Sequence, residues 1–229
     1  MKVSTDACLL GAVADAAGAG RVLDIGTGTG LLALMLAQRY PEAAITALEI
    51  EPAAAAQAAA NAAGSPWAGR ITVLAQSLAG FAATDPAPFG HMVCNPPFFQ
   101  GALPAPDAAR RLARHAGHAA LTFAELAGFA ADFLAVGGAL TVLLPPPEMQ
   151  LFEHVAGAAG LHPQRRLLVR HRPAGRGARH IVRFGRGPAS ESGATAGATI
   201  ATELNIRTAT DDDYSPEFRA LLAGFYLAL

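Results

Sequence analysis

Cysteine is nearly absent from this sequence, in which Cys8 and Cys94 are the only two among 229 residues. This scarcity excludes a disulfide scaffold, and two cysteines alone cannot form a zinc site. The N-terminal stretch does not have the pattern of a secretion signal, because Asp6 and Asp15 interrupt a short apolar segment. We therefore expect a cytoplasmic protein with reduced thiols.

Long apolar runs and a strong net charge are missing as well. The longest strongly apolar run covers residues 133–144, contains two adjacent glycines and is too short to span a bilayer. The formal net charge is −1, and hydrophobic residues make up 52% of the chain. Intrinsic disorder is excluded by this composition. We expect a monomer with one folded domain over residues 1–229, without a membrane or metal partner.

Lysine is represented by Lys2 alone among 17 basic residues, so the choice of arginine over lysine carries little functional information. The arginines are unevenly spread. Residues 154–190 contain eight arginines and no Asp or Glu, a basic block that the net charge conceals.

Strand-like and helix-like segments alternate through the first two thirds of the chain, which is typical of an α/β fold with a doubly wound parallel sheet. The predicted strands are Arg21–Ile25, Ala44–Glu49, 71–74, a strand ending at 92–94, and 139–144. The predicted helices are Leu31–Arg39, Pro52–Ala63, a helix capped by Thr122 and Glu125 that runs to Val136, and 148–159. Gly137 and Gly138 are expected to stop the third of these helices.

The last third of the chain departs from this alternation. Two basic strand-like runs, 165–171 and 180–184, flank a turn at 173–177 and predict an antiparallel hairpin at a sheet edge. A flexible loop over 187–197, a further strand over 199–206 and a C-terminal helix over 215–227 follow. We divide the domain into an N-terminal cofactor-side helix (1–20), a cofactor-binding and catalytic core (21–160) and an RNA-facing C-terminal part (161–229).

The glycine-rich segment after the first strand is the strongest local signal. Gly26, Thr27, Gly28 and Gly30 follow Asp24 in the spacing G-x-G-x-G, which differs from the G-x-G-x-x-G of dinucleotide sites. A carboxylate before the loop disfavours a pyrophosphate and favours a cationic ligand. Glu49 ends the next strand, where such folds hold ribose hydroxyls. The segment predicts a site for S-adenosylmethionine; a nicotinamide site and a glycine turn without a ligand are the alternatives.

The second signal is the tetrapeptide Asn95, Pro96, Pro97 and Phe98 at the end of the fourth strand. It resembles the catalytic loop of methyltransferases that act on planar nitrogens: adenine N6, guanine N2 or glutamine N5. The Asn oxygen and the carbonyl of the first Pro can accept the two N–H groups of such a nitrogen as it pyramidalises. The prolines hold both acceptors rigidly, and the Phe ring offers a face for a flipped-out base.

Several further segments resemble one family along most of the chain, the bacterial adenine-N6 methyltransferases that modify valine tRNA at adenine 37. The matching segments are MKVSTD at 1–6, LLG at 9–11, LLALMLA at 31–37, SPW at 65–67, YS at 214–215 and FYL at 225–227. The resemblance implies S-adenosylmethionine as cofactor, tRNA as partner and N6-methyladenosine as product. It also places Thr5 and Asp6 beside the cofactor.

The sequence differs from the family pattern in two respects. Family members usually have an acid after the third strand that contacts the cofactor adenine, whereas this chain has Ser77, a weaker and uncharged partner. They also carry a segment ahead of the stretch at which this chain begins, so we expect a shortened chain or a late start codon.

Two groups of arginines are candidates for RNA backbone contact. They are Arg165, Arg166, Arg170, Arg172, Arg176 and Arg179 in the hairpin, and Arg110, Arg111 and Arg114 after the catalytic loop. A solvated basic surface is the alternative for both groups. The seven histidines show no ligand spacing, and residues 211–213, three consecutive aspartates, are interpreted as a solvated loop.

The rival functions belong to different classes. Guanine-N2 methylation of ribosomal RNA and glutamine-N5 methylation of a protein both suit the tetrapeptide. A non-catalytic RNA-binding protein that retains the fold is a further alternative, which Asp24, Glu49 and Asn95 together disfavour.

Overall fold

The computed structural model describes residues 4–96, 121–187 and 199–226. The described strands are β1 (Arg21–Ile25), β2 (Ala44–Glu49), β3 (Ile71–Ala75), β4 (Phe89–Cys94), β5 (Leu134–Leu144), β6 (Leu161–Arg170), β7 (Gly177–Arg186) and β8 (Ile200–Asn205). The described helices are α1 (Thr5–Val13), α2 (Leu31–Arg39), α3 (Pro52–Ala63), α4 (Leu78–Ala82), α5 (Phe123–Phe133), α6 (Pro146–Ala158) and α7 (Pro216–Leu222), with a 3₁₀ turn at Ala68–Arg70.

All of these strands belong to one sheet in the order β3-β2-β1-β4-β5-β7-β6-β8. β3, β2, β1, β4 and β5 are mutually parallel, and β7 is antiparallel to β5. β6 is antiparallel to β7 and β8 is parallel to β6, so both run in the direction of β5. The ends of β1, β2, β3, β4, β5, β6 and β8 therefore lie at one side of the sheet, which we call the carboxyl edge. The doubly wound α/β prediction is confirmed.

Helices cover both faces of the sheet and bury two apolar layers. Leu10 of α1, Leu36 of α2 and Phe218 of α7 belong to the layer on one face. Leu126 of α5 and Phe152 of α6 belong to the layer on the other. Each of these five side chains is at most 2% exposed. The two layers fix the helices against the sheet, so the loops at the carboxyl edge start from rigid elements.

The start of α5 confirms the predicted capping box, but its end was placed wrongly. The Thr122 side chain accepts from the Glu125 backbone N–H, and the Glu125 carboxylate accepts from Thr122. The helix ends at Phe133 instead of residue 136, and β5 begins at once. The two glycines lie inside β5, where Gly137 has φ +74° and the register with β4 shifts. The bulge at this point requires glycine. A side chain at Gly138 would clash, since its Cβ would lie 2.9 Å from the Ala135 carbonyl oxygen.

The predicted basic hairpin is present as β6 and β7, but its position at a sheet edge was wrong. β8 pairs with β6 over six residue positions and forms the edge itself. The further strand predicted over 199–206 is confirmed as β8, but its pairing with β6 was not predicted. Residues 188–198 lie outside the described residues. The loop predicted over 187–197 falls almost entirely there. The C-terminal helix predicted over 215–227 is shorter in the structure. The Ser215 hydroxyl caps its start by accepting from Phe218 N–H, and α7 ends at Leu222.

Two neighbouring residues of α6 test the packing of the second apolar layer. Phe152 is fully buried and meets the rings of Phe123 and Phe184 at 5.4 and 5.1 Å. Phe152→Ala should lower the unfolding free energy by about 3–5 kcal/mol. Leu151, which is 50% exposed, is the matched control, and Leu151→Ala should change the value by about 1 kcal/mol or less. Urea unfolding with an unchanged m-value measures both, and equal losses would contradict this packing.

Candidate active site at the carboxyl edge

Three strand ends meet where the order of the sheet reverses. β1 lies between β2 and β4, and Ile25 is in register with Leu48 of β2 and Cys94 of β4. The next residues along the chain are therefore Gly26, Glu49 and Asn95, at one level of the carboxyl edge. With strands about 4.8 Å apart, the outer two backbones lie roughly 10 Å apart. Ligands of open α/β sheets bind at such a switch point.

The glycine loop between β1 and α2 keeps its backbone open to a ligand. Gly28 has φ +60°, which permits the tight turn, and its N–H donates to Glu49 Oε2 at 2.8 Å. Gly26 is exposed, and among the described residues nothing lies within 4 Å of where its Cβ would be. Glu49 also accepts the Glu51 N–H, through Oε1 at 3.0 Å. One half-buried carboxylate thus fixes the loop while facing the site.

Asp24 is a fully buried carboxyl group directly below this loop. Its Oδ2 accepts from the Thr27 hydroxyl at 2.5 Å and from the Ala33 N–H at 3.1 Å. Its Oδ1 is buried and has no hydrogen-bond partner among the described residues. Burial raises the pKa of Asp24 to about 7, with Glu49 adding to the rise and the two hydrogen bonds opposing it. A buried carboxyl with an unused oxygen is suited to a cationic ligand.

Asn95 presents a second unused acceptor at the end of β4. Its Oδ1 is buried and has no hydrogen-bond partner among the described residues. Pro96 is buried beside it. Burial raises the pKa of the preceding Cys94 thiol, with the nearby Asp24 charge adding to the rise, so this group is a neutral core side chain. Two further residues assigned to this loop, Pro97 and Phe98, lie outside the described residues.

The other proposed cofactor contacts are more dispersed. Ser77 lies two residues beyond Ala75, which pairs with Glu49, and its hydroxyl caps α4 by accepting from Gly80 N–H at 3.0 Å. Thr5 is exposed in the first turn of α1. The Asp6 carboxylate pairs with Arg179 of β7 at 2.7 Å. The structure therefore gives Ser77 and Asp6 partners within the protein, and their contacts with a cofactor stay predictions.

Carboxylates neutralise much of the basic block. Four of its six candidate arginines form ion pairs: Arg166 with Glu153, Arg170 with Glu203, Arg172 with Asp212 and Arg179 with Asp6. Arg165 and Arg176 are exposed. Arg110, Arg111 and Arg114 lie outside the described residues. The hairpin thus carries much less unpaired positive charge than its sequence suggests, and its contact with RNA stays a prediction.

Neither a metal centre nor a membrane span is found in the described part of the chain. No three or more His, Cys, Asp or Glu side chains of residues 4–96, 121–187 and 199–226 are grouped to hold a metal ion. In the same ranges, no helix combines the length and apolarity needed to cross a bilayer.

The sheet order, the glycine loop and the acids at the ends of β1 and β2 define a class I methyltransferase. The family model of the methyltransferase small domain matches residues 4–143. A tRNA1(Val) (adenine(37)-N6)-methyltransferase from Bacteroides thetaiotaomicron is 41% identical over 230 residues, covering 100% of this chain and 92% of that protein. One of the same name from Yersinia pestis (strain Pestoides F) is 39% identical, covering 99% and 88%. This chain belongs to the family of tRNA1(Val) (adenine(37)-N6)-methyltransferases within the small-domain methyltransferases.

Solved structures agree on the fold. A predicted O-methyltransferase from Agrobacterium tumefaciens superimposes with a TM-score of 0.68 at 22% identity, covering 96% of both chains. An O-methyltransferase of neocarzinostatin biosynthesis, solved with S-adenosylmethionine, gives a TM-score of 0.52 at 18% identity and covers 77% of this chain and 52% of that one. At these identities the likeness concerns the fold alone.

Sequence reasoning missed the contacts that hold the Asp24 carboxylate. It placed Thr27 beside the cofactor, whereas the buried Thr27 hydroxyl is bonded to Asp24. The Ala33 N–H, in the first turn of α2, left no sequence signal because it is a backbone group. Tyr214 was noted only as part of a family segment, and the structure stacks Arg207 on its ring at 4.3 Å.

The raised pKa of Asp24 makes stability depend on pH in a definite direction. Since its folded pKa of about 7 exceeds the ordinary 3.8, the folded protein binds this proton more tightly than the unfolded chain does. The contribution of Asp24 to the unfolding free energy therefore falls as pH rises from about 4 to 7. Asp24→Asn keeps an acceptor oxygen but does not ionise. Its unfolding free energy relative to wild type should rise over this window by up to about 4 kcal/mol.

The control for this measurement is Asp132→Asn, an exposed carboxyl at the end of α5. Urea unfolding at pH 4, 5, 6, 7 and 8 compares the three proteins. A pH-independent difference between Asp24→Asn and wild type would show that Asp24 does not titrate in this window.

Proposed function

We propose that this protein transfers a methyl group from S-adenosylmethionine to N6 of adenine 37 in valine tRNA. The observation that carries the proposal is the buried Asn95 Oδ1, which has no hydrogen-bond partner among residues 4–96, 121–187 and 199–226 and lies one strand away from the glycine loop. Family membership supports the choice of substrate, since the relatives from Bacteroides and Yersinia are named for this reaction. A tRNA substrate also favours a cytoplasmic location.

The residues at the ends of β1 and β2 suit the proposed cofactor. S-adenosylmethionine supplies an electrophilic sulfonium methyl group and carries an ammonium and two ribose hydroxyls. The unused Asp24 Oδ1 offers negative charge to a cationic group, and Glu49 offers carboxylate oxygens to hydroxyls. The exposed Gly26 leaves room for close approach to the backbone. Ser77, two residues beyond β3, would contact the adenine end of the cofactor, where its hydroxyl would accept from the exocyclic amine.

Asn95 and Pro96 form the proposed catalytic pair. The lone pair of an exocyclic amine is delocalised into the ring, and it becomes nucleophilic as the nitrogen pyramidalises. Asn95 Oδ1 and the Pro96 carbonyl oxygen would accept its two N–H groups and favour that geometry. A buried acceptor without a partner is rare in folded proteins and is consistent with a ligand-binding role. Pro97 and Phe98 complete the proposed loop, with Phe98 stacking on the base.

The chain is proposed to act as one methyltransferase domain, monomeric and without a metal. Residues 21–160 would hold cofactor and target base, and residues 161–229 would face the RNA. Guanine-N2 and glutamine-N5 methylation use the same acceptor chemistry at Asn95. The names of the full-length relatives favour adenine over both.

Two glutamates two positions apart test the cofactor site. Glu49→Ala should weaken S-adenosylmethionine binding by about 1.5–3 kcal/mol, because charged hydrogen bonds to the ribose are lost. Glu51→Ala is the matched control: Glu51 caps α3 by accepting from Ala53 N–H at 3.2 Å, so its loss should affect stability more than affinity. Isothermal titration calorimetry measures both. Equal affinities for the two variants would remove Glu49 from the ribose site.

The loss of Asn95 tests the chemistry. Asn95→Ala should bind the cofactor nearly as well as wild type, because its acceptor acts only on the reacting nitrogen. Its single-turnover methylation rate should fall on the order of 100- to 1,000-fold. Asn95→Asp should keep more activity than Asn95→Ala, since a carboxylate still accepts. A rate for Asn95→Ala within about threefold of wild type would exclude Asn95 from the catalytic centre.

A further inference from the structure

The loop after β8 and the turn after β6 bring Arg207 and the hairpin residue Arg172 together at the carboxyl edge. β6 ends at Arg170 and β8 at Asn205, and both run parallel to β5. The residues that follow them are therefore on the same side of the sheet as Asn95. β6 and β8 are three and four strands from β4, or roughly 14–19 Å. A stacked nucleic acid strand covers that distance in about four to six nucleotides.

Two arginines of this group share one carboxylate oxygen. Arg172 Nη2 lies 2.8 Å and Arg207 Nη1 lies 4.0 Å from Asp212 Oδ1. Arg207 also stacks on the Tyr214 ring, at 4.3 Å from its centroid. We call Arg172, Arg207 and Tyr214 the arginine–tyrosine patch. Its charged groups converge on a single oxyanion.

The Asp212 carboxylate forms only solvent-exposed ion pairs with the arginines of this patch. Its side chain is 81% exposed, and that of Arg172 is 38% exposed. An ion pair so open to water contributes little to stability and is screened by salt. A phosphodiester carries the same charge and acceptor oxygens, and guanidinium groups bind it with matching geometry. A phosphate could therefore take the position of the Asp212 carboxylate.

Other contacts hold the arginines without that carboxylate. Arg172 donates to the backbone carbonyl oxygens of Asp211 at 2.8 Å and Thr208 at 3.4 Å. Arg207 donates to the Asp212 carbonyl oxygen, and its Nε is buried without a hydrogen-bond partner among the described residues. Tyr214 is fixed by stacking on Phe218, with ring centroids 4.8 Å apart. The patch is thus preorganised, and removing the carboxylate leaves its arginines in place.

We propose that the arginine–tyrosine patch binds the phosphate backbone of the RNA substrate and that Asp212 occupies it in the RNA-free protein. RNA binding then exchanges the Asp212 carboxylate for a phosphate, and Asp212 acts as an intramolecular competitor. This proposal rests on the proposed function, since it requires RNA as the substrate.

Adjacent aspartates provide the test, with valine tRNA as the probe and fluorescence anisotropy at several salt concentrations as the measurement. Asp212→Asn removes the competitor and should tighten tRNA binding by about 3- to 10-fold, whereas the neighbouring Asp211→Asn changes the net charge equally and should have a clearly smaller effect. Arg172→Gln should weaken binding and flatten the salt dependence by about one unit. Each variant should bind S-adenosylmethionine as wild type does, which reports an intact fold.

The outcomes separate the two proposals. Equal effects of Asp212→Asn and Asp211→Asn on tRNA binding, or an unchanged salt dependence in Arg172→Gln, would overturn the role of the patch. The proposed function would still stand if the wild-type protein methylates tRNA. A wild-type protein that neither binds nor methylates tRNA would overturn the proposed function and the patch with it.

Discussion

The parallel pairing of β2, β1 and β4 is the constraint on which the site depends. Because Ile25 is in register with both Leu48 and Cys94, the residues after these three positions come to one level of one edge. A slip of one residue in either pairing would move Glu49 or Asn95 to the opposite face of the sheet. The apolar layers on both faces prevent such slips, so core packing and site geometry have the same origin.

Two buried oxygens, Asp24 Oδ1 and Asn95 Oδ1, have no hydrogen-bond partner in the part of the chain that the structure describes, and they flank the reversal of strand order. A folded protein normally pairs such groups, since each unpaired one costs about 1–3 kcal/mol. The fold therefore tolerates two unfavourable acceptors on neighbouring strands, β1 and β4. One is suited to a cationic cofactor and the other to an amine. This juxtaposition links the cofactor and substrate halves of the proposed reaction.

Much of the fold was predictable because its signals are local. The bounds of β1, α2, β2 and α3 follow from short apolar runs, glycines and Pro52, and the structure confirms them. Predictions failed where tertiary pairing decides, as in the bulge at Gly137 and the pairing of β8 with the hairpin strand β6. The pairing of charges was equally hidden from the sequence. The block of arginines was evident, but its partners Glu153, Glu203 and Asp212 lie in other segments of the chain.

The methylated product identifies the reaction that this protein catalyses. Valine tRNA incubated with the protein and S-adenosylmethionine carrying a deuterated methyl group would be digested to nucleosides and analysed by mass spectrometry, with the modified position mapped by nuclease fragments. We expect labelled N6-methyladenosine at position 37, and no label in a transcript with that adenine replaced. Label in N2-methylguanosine, or methylation at another adenine, would contradict it.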